Sequence, residues 1–275
     1  MLKLGGSVIT DKSVPLSFRR DAVVALAGAV STVAESEPVI LVHGGGSFGH
    51  HYSVIHDMHT APARYDLKGF CTVKNSMVHL HHLVLDALYE GGILPYSCPP
   101  SILVHSSDVP YTEPAAPGGM ARERVLETYT IASSGLCPVV YGDAMWCGNG
   151  TSHILSGDAI MTMLAKLLDI RLAIFATDVD GLYTGPDLGQ LIRRADAKTA
   201  YAMAGSGRGA APARSDGGSD VTGGMARKVR AAGDISRMGT DVFFVNGNRP
   251  HRISDITRGI YEGTLFAGKS RGVEA

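Results

Sequence analysis

Four short apolar runs set the strongest bound on what this chain can become. Residues 39–43 (VILVH), 138–141 (PVVY), 172–176 (LAIFA) and 241–246 (DVFFVN) are nearly uninterrupted by polar side chains, and each is too short for a helix. A strand that shows one face to water alternates polar and apolar residues, whereas a strand covered on both faces reads as a continuous run. Stretches at helical spacing lie between and around them, at 22–33, about 71–89, 125–134, 160–168 and 224–232. Residues 2–9 and 94–97 supply two further expected strands. Strand and helix in alternation predict an α/β fold, a three-layer α/β/α sandwich on a mostly parallel open sheet. No internal repeat interrupts the pattern.

Composition narrows the setting. With 275 residues and 45% apolar content, the chain can bury a sizeable core, and one domain over 1–275 is expected. The 25 basic and 26 acidic residues leave a formal charge of −1, which offers no electrostatic footprint for nucleic acid or an anionic membrane. Cys71, Cys98, Cys137 and Cys147 lack CxxC spacing, so reduced thiols are expected rather than a zinc site or disulfide framework. The opening MLKLGGSVITDK has the wrong order for a signal peptide. No apolar run approaches the roughly 20 residues of a membrane-spanning helix. A soluble, cytoplasmic protein is the expectation.

Residues 41–50 read LVHGGGSFGH. Successive backbone N–H groups at a strand-to-helix turn form a nest for anions, and a side chain at Gly44, Gly45 or Gly46 would obstruct it. One glycine suffices for a tight turn; three in a row and then Gly49 point to a loop that touches a ligand. Gly44-x-Gly46-x-x-Gly49 also fits the dinucleotide fingerprint. It follows the second expected strand rather than the first, however, and neither Asp57 nor Asp66 ends a strand. The P-loop pattern GxxxxGK[ST] is absent. Further glycine turns occur at Lys3-Leu4-Gly5-Gly6-Ser7, Ser156-Gly157-Asp158 and Thr222-Gly223-Gly224, with Lys12 and Lys228 nearby. Their recurrence at strand ends, where ligands of open sheets gather, allows three lysines to converge on one polyphosphate.

In order, KLGGS, HGGGSFGH, YGD (141–143), SGD, TDVDGLY (177–183) and DVTGGMARK (220–228) resemble the motifs of the amino acid kinase superfamily. Within it, KLGGSVITDK, the histidine closing HGGGSFGH, and YSCPPS at 96–101 are similar to isopentenyl phosphate kinases. The resemblance implies ATP with Mg²⁺, an isoprenoid monophosphate acceptor and a homodimer, and no carboxylate cluster in the sequence requires a protein-held metal. It divides the chain at about residue 170 into an acceptor-binding lobe and a nucleotide-binding lobe.

The implied roles are specific. Lys12 would stabilise the transition state, Lys3 would reach the transferring phosphoryl group, and Asp158 would orient the lysines. Gly5, Gly6, Ser7, Gly46, Asp178, Asp180, Gly224 and Lys228 would hold the nucleotide. Gly45, Gly142 and His50 would hold the acceptor phosphate, with His50 as a donor, because a phosphate monoester needs no general base.

An isopentenyl tail needs a small apolar pocket. Phe70, Val73 and Met77 share one helix face, which suits either that pocket or ordinary core packing. The chain departs from the family at His51-Tyr52-Ser53 and through 54–68, beside the expected acceptor. His79, His81 and His82 lack cysteine or acidic companions and read as a partly exposed helix face. Trp146 falls in an expected polar turn, and 204–220 reads as a surface loop or lid. A fosfomycin-type phosphonate kinase is the nearest rival. A nucleotide sensor without turnover and a Rossmann dehydrogenase stand further off.

Overall fold

The computed structural model describes residues 1–58, 63–64, 66–104, 122–148, 150–184, 189–205 and 224–268. The first half of the chain forms β1 (Leu2–Leu4), α1 (Gly6–Ile9), β2 (Thr10–Asp11), β3 (Ser17–Phe18), α2 (Arg20–Ala34), β4 (Leu41–His43), α3 (Gly46–Ile55), β5 (Ala63–Arg64), α4 (Leu67–Glu90), β6 (Pro95–Ser97), α5 (Pro100–Leu103) and α6 (Arg122–Ser133). There follow β7 (Cys137–Tyr141), β8 (Asp143–Gly148), β9 (Thr151–Leu155), α7 (Gly157–Leu167), β10 (Leu172–Thr177), β11 (Arg194–Ala195), α8 (Ala197–Gly205), α9 (Gly224–Arg237), β12 (Asp241–Asn246), α10 (His251–Thr257) and β13 (Thr264–Phe266).

Eight strands make one sheet in the order β11-β13-β12-β10-β1-β4-β7-β6. Every pairing in it is parallel except β12 with β13. Alternation along the strands builds two cores. Leu41, Val139, Ile174, Phe243 and Val245 pack under α2 and α4, while Val42, Val140, Phe175 and Phe244 pack under α7 and α9. Each such buried side chain contributes roughly 1.5–3 kcal/mol. The three-layer α/β/α sandwich expected from the sequence is the observed one.

Register then fixes the site. Leu4 pairs with His43 and with Ala176, and His43 pairs with Tyr141, so β1, β4, β7 and β10 run level at their carboxyl ends. Gly5, Gly44 and Gly142 leave the sheet side by side. Gly5 N–H donates to Ala176 O at 2.9 Å, Gly44 N–H to Leu4 O at 3.1 Å, and Gly142 N–H to His43 O at 3.1 Å.

Three expectations need correction. The strand expected over 2–9 stops at Leu4, because the chain turns at Gly5 and Val8 N–H closes onto Gly5 O at 2.9 Å, starting α1. Trp146 is not in a turn: it lies in β8, paired with Ser152 of β9, in a hairpin whose sequence alternates too poorly to announce itself. His81 is buried rather than part of an exposed face, although His79 and His82 are exposed. Of the expected 204–220 loop, Ala204 and Gly205 close α8, and 206–220 lie outside the described residues.

Candidate functional site

Two glycine turns interlock at the level strand ends. A Cβ on Gly6 would stand 2.5 Å from Gly46 N, and Gly46 itself has φ +48°, which a side chain disfavours. The glycines therefore serve first to let β1–α1 and β4–α3 pack against each other. That packing leaves amides open. Ser47 N–H donates to Thr10 Oγ1 at 2.9 Å and Phe48 N–H to Gly45 O at 3.1 Å. Gly45 and Gly46 N–H, at the start of α3, meet no acceptor among the described residues, nor do those of Gly6 and Ser7. Such amides, with the positive end of the helix dipole, suit an anion.

Lys3 alternates with Leu2 and Leu4, so it points to the α7 side of the sheet. There its ammonium forms a buried ion pair with Asp158, in the first turn of α7. Lys228, one turn into α9, stands 3.8 Å from the other oxygen of the same carboxylate and donates to Gly224 O at 3.1 Å. Burial pushes the Lys3 ammonium down to about 8, against the pull of Asp158 and with repulsion from Lys228. Burial alone would raise Asp158, but the charges of Lys228 and Lys3 outweigh it and hold the carboxyl below its ordinary range.

Gly157 makes the approach possible, since a Cβ there would sit 2.9 Å from Lys3 Cε. The sequence places Gly157 in the Ser156-Gly157-Asp158 turn, but the role it plays in admitting the Lys3 side chain shows only in the fold.

The other expected residues are placed less closely. Lys12 is exposed just beyond β2, whose Thr10 anchors this hairpin to α3, and it is not among the cations at Asp158. His50 is half-buried in the second turn of α3, where its carbonyl accepts from Ser53 Oγ at 3.0 Å. Gly142 faces the start of α7, with a Cβ there falling 3.1 Å from Gly157 N. Asp178 is half-buried just past β10. Asp180 accepts from Asn246 Nδ2 at 2.9 Å and Arg252 Nη1 at 2.5 Å, and both hold its carboxyl low. That carboxylate ties the end of β10 to β12 and α10. Gly224 opens α9.

The three apolar candidates divide. Val73 is buried with Met58 and Ala144, and half-buried Phe70, Tyr52 and Ile154 border that small cluster. Met77 belongs to the α2–α4 core, its Sδ 3.1 Å from where a Gly45 Cβ would stand. On the same helix face Lys74 reaches Asp143, a fully buried carboxylate beside Gly142 that also accepts from Ala144 N–H at 2.8 Å. Burial raises the Asp143 carboxyl, and Lys74 opposes the rise. The sequence reading missed this pair, although Lys74 is adjacent to Val73 and Asp143 closes the YGD triplet.

The amino acid kinase family matches residues 1–246. The isopentenyl phosphate kinase of Thermoplasma acidophilum is 33% identical over 97% of this chain and 99% of its own length. That of Methanocaldococcus jannaschii is 30% identical over 96% of each. A solved product complex of the T. acidophilum enzyme superposes with a TM-score of 0.73 at 29% identity, covering 96% of this chain and 98% of the other. An isopentenyl phosphate kinase substrate complex gives the same TM-score at 30% identity.

Proposed function

The chain belongs to the amino acid kinase family, and from that premise we propose that it transfers the terminal phosphoryl group of ATP to isopentenyl phosphate, a step of isoprenoid biosynthesis. Full-length likeness to two isopentenyl phosphate kinases supports the substrate. The observation that carries the chemistry is the meeting of Lys3, Asp158 and Lys228 on one side of the strand ends with the open amides of Gly45 and Gly46 on the other.

The reaction brings together two anions. An oxygen of the acceptor phosphate attacks the γ-phosphorus, the bond to the bridging oxygen breaks, and its electron pair leaves with ADP. A phosphate monoester, with a second pKa of roughly 6, is already a nucleophile at neutral pH. Catalysis is then positioning and charge neutralisation. In this reading Lys3 and Lys228 meet the β- and γ-phosphates, Asp158 sets their spacing, and Lys12 swings onto the transferring group. The amides of Gly5, Gly6, Ser7 and Gly46, with Gly224, surround the nucleotide phosphates, and Asp178 lies beside the nucleotide. Asp180 acts on that side through its hold on Arg252 and Asn246.

Gly45, Gly142 and His50 hold the acceptor phosphate. Phe70 and Val73 border its tail, with Met77 packed beneath the glycine turn. In this reading residues up to about 170 form the acceptor-binding lobe and those from about 171 the nucleotide-binding lobe. Lys3, Gly5, Gly6, Ser7, Gly46 and Asp158 reach the nucleotide phosphates from the first lobe where the two meet.

Mg²⁺ would travel with ATP and neutralise its phosphates. No group of three or more His, Cys, Asp or Glu side chains among the described residues is arranged to hold a metal, and Asp158 is committed to two ammonium groups. No described helix is long and apolar enough to cross a membrane. A homodimer completes the proposal, and sedimentation of the full chain tests it.

The deciding assay measures ADP release with isopentenyl phosphate, dimethylallyl phosphate, geranyl phosphate and fosfomycin in parallel. We expect the highest kcat/KM with isopentenyl phosphate; preference for fosfomycin would instead assign a phosphonate kinase.

A further inference from the structure

On the α4 side of the sheet, the hydrogen-bond directions beneath the glycine turn can be assigned atom by atom. Gly44 O only accepts, so His43 Nδ1, 3.1 Å away, carries a proton. His43 is wholly buried, and burial pushes it down to about 4, so the ring is neutral and its Nε2 is bare. His81 Nδ1, 3.0 Å from that nitrogen, must therefore donate to it. His81 is held down to about 3 by burial and by the neighbouring His43, so its Nε2 is bare in turn and accepts from Ser97 Oγ at 2.9 Å. Tyr141 stacks on both imidazoles, with centroids 4.2 Å from His81 and 5.5 Å from His43, which fixes the ring planes. With both rings neutral, only one direction satisfies every partner: Ser97 to His81 to His43 to Gly44 O.

We infer that this chain of hydrogen bonds is a positioning device for the acceptor-phosphate turn. His43, His81 and Ser97 are its positioning residues. A peptide unit is planar and trans, so its C=O and N–H point in opposite directions. Pinning Gly44 O toward the His43 ring turns Gly45 N–H, on the far side of the same peptide, away from that ring. That N–H meets no acceptor among the described residues. The amide is thus oriented before the phosphate arrives, and binding does not have to order it. The relay crosses from the edge strand β6 through α4 to β4, so three elements hold one peptide plane. The inference rests on the proposed function for the identity of the anion, and on the hydrogen-bond geometry of two buried, neutral rings for the proton positions.

The two parts are tested separately. Nitrogen-15 spectra of the full chain with labelled histidine are expected to show His43 and His81 each protonated on Nδ1 and bare on Nε2 at pH 7. A proton on Nε2 of either ring overturns the relay, whatever the substrate. The second arm compares His81→Leu with His81→Asn, whose amide nitrogen can take the place of Nδ1–H. We expect His81→Leu to raise KM for isopentenyl phosphate about tenfold, as for one lost oriented hydrogen bond, with KM for ATP within about twofold. His81→Asn should recover most of the loss.

If His81→Leu fails to fold, the spectra of the unaltered chain still decide the relay. An unchanged acceptor KM in folded His81→Leu overturns the link to the turn. Absence of turnover by the unaltered chain would sink the proposed substrate and leave the proton assignment to the spectra.

Discussion

The two faces of the central sheet bury titratable groups in opposite ways, within a few ångströms of the same strand ends. Toward α7, Lys3 and Asp158 are buried as an ion pair, with Lys228 as a second cation. Toward α4, His43 and His81 are buried neutral, each nitrogen matched to a donor or acceptor. A buried charge is tolerable only when paired, and a buried imidazole only when its hydrogen bonds are complete. The difference matches the two tasks proposed. The α7 face presents cations to a polyphosphate, and the α4 face aims a neutral amide without adding charge.

The sharpest way to break this contrast is to remove the one anion. Asp158→Ala leaves Lys3 buried without a counter-ion and should destabilise the chain by about 3–5 kcal/mol, read by urea unfolding. A loss below about 1 kcal/mol would mean that the ammonium reaches water. Acid attacks the other face. The folded imidazoles titrate at about 4 and 3, below the ordinary 6.5, so the unfolded chain binds more protons in between.

Stability should therefore be full above pH 6.5 and fall as pH drops below it, by roughly 2 kcal/mol or more at pH 5. His81→Leu should make that fall shallower; an unchanged slope would place the acid sensitivity elsewhere.

Alkaline pH tests the α7 face more gently. Lys3 loses its proton near 8 in the free protein, so kcat/KM for ATP should decline as pH rises through about 8. Bound phosphates favour the ammonium, and kcat should hold to higher pH. Coincident profiles would exclude Lys3 as the group responsible. The smallest effect is steric. Gly157→Ala brings a Cβ to 2.9 Å from Lys3 Cε, a flexible chain that can shift. It should cost about 1–2 kcal/mol and reduce kcat severalfold, with His81 tautomers unmoved.

The sequence disclosed the layered fold because strands covered on both faces are continuous apolar runs, and β4, β7, β10 and β12 all read that way. It also disclosed Lys3, Asp158 and Lys228 as candidates, since each stands beside a glycine turn. What stayed hidden depends on contacts between distant segments. Asp143 and Lys74 are 69 residues apart and meet only because α4 crosses β8. His79, His81 and His82 read together as a partly exposed face, yet His81 lies four residues after Met77 and three before Val84, on the buried face of α4. Helical periodicity would have turned it inward. The β8–β9 hairpin is short, carries exposed Trp146, and offers no clean alternation.

A ternary crystal structure of the chain with a non-hydrolysable ATP analogue and isopentenyl phosphate tests the account most directly. The acceptor phosphate is expected within hydrogen-bond reach of Gly45 N–H and His50, with the nucleotide phosphates between it and the Lys3 and Lys228 ammonium groups. An acceptor phosphate bound away from the β4–α3 turn, or a nucleotide whose terminal phosphate meets neither lysine, would contradict it.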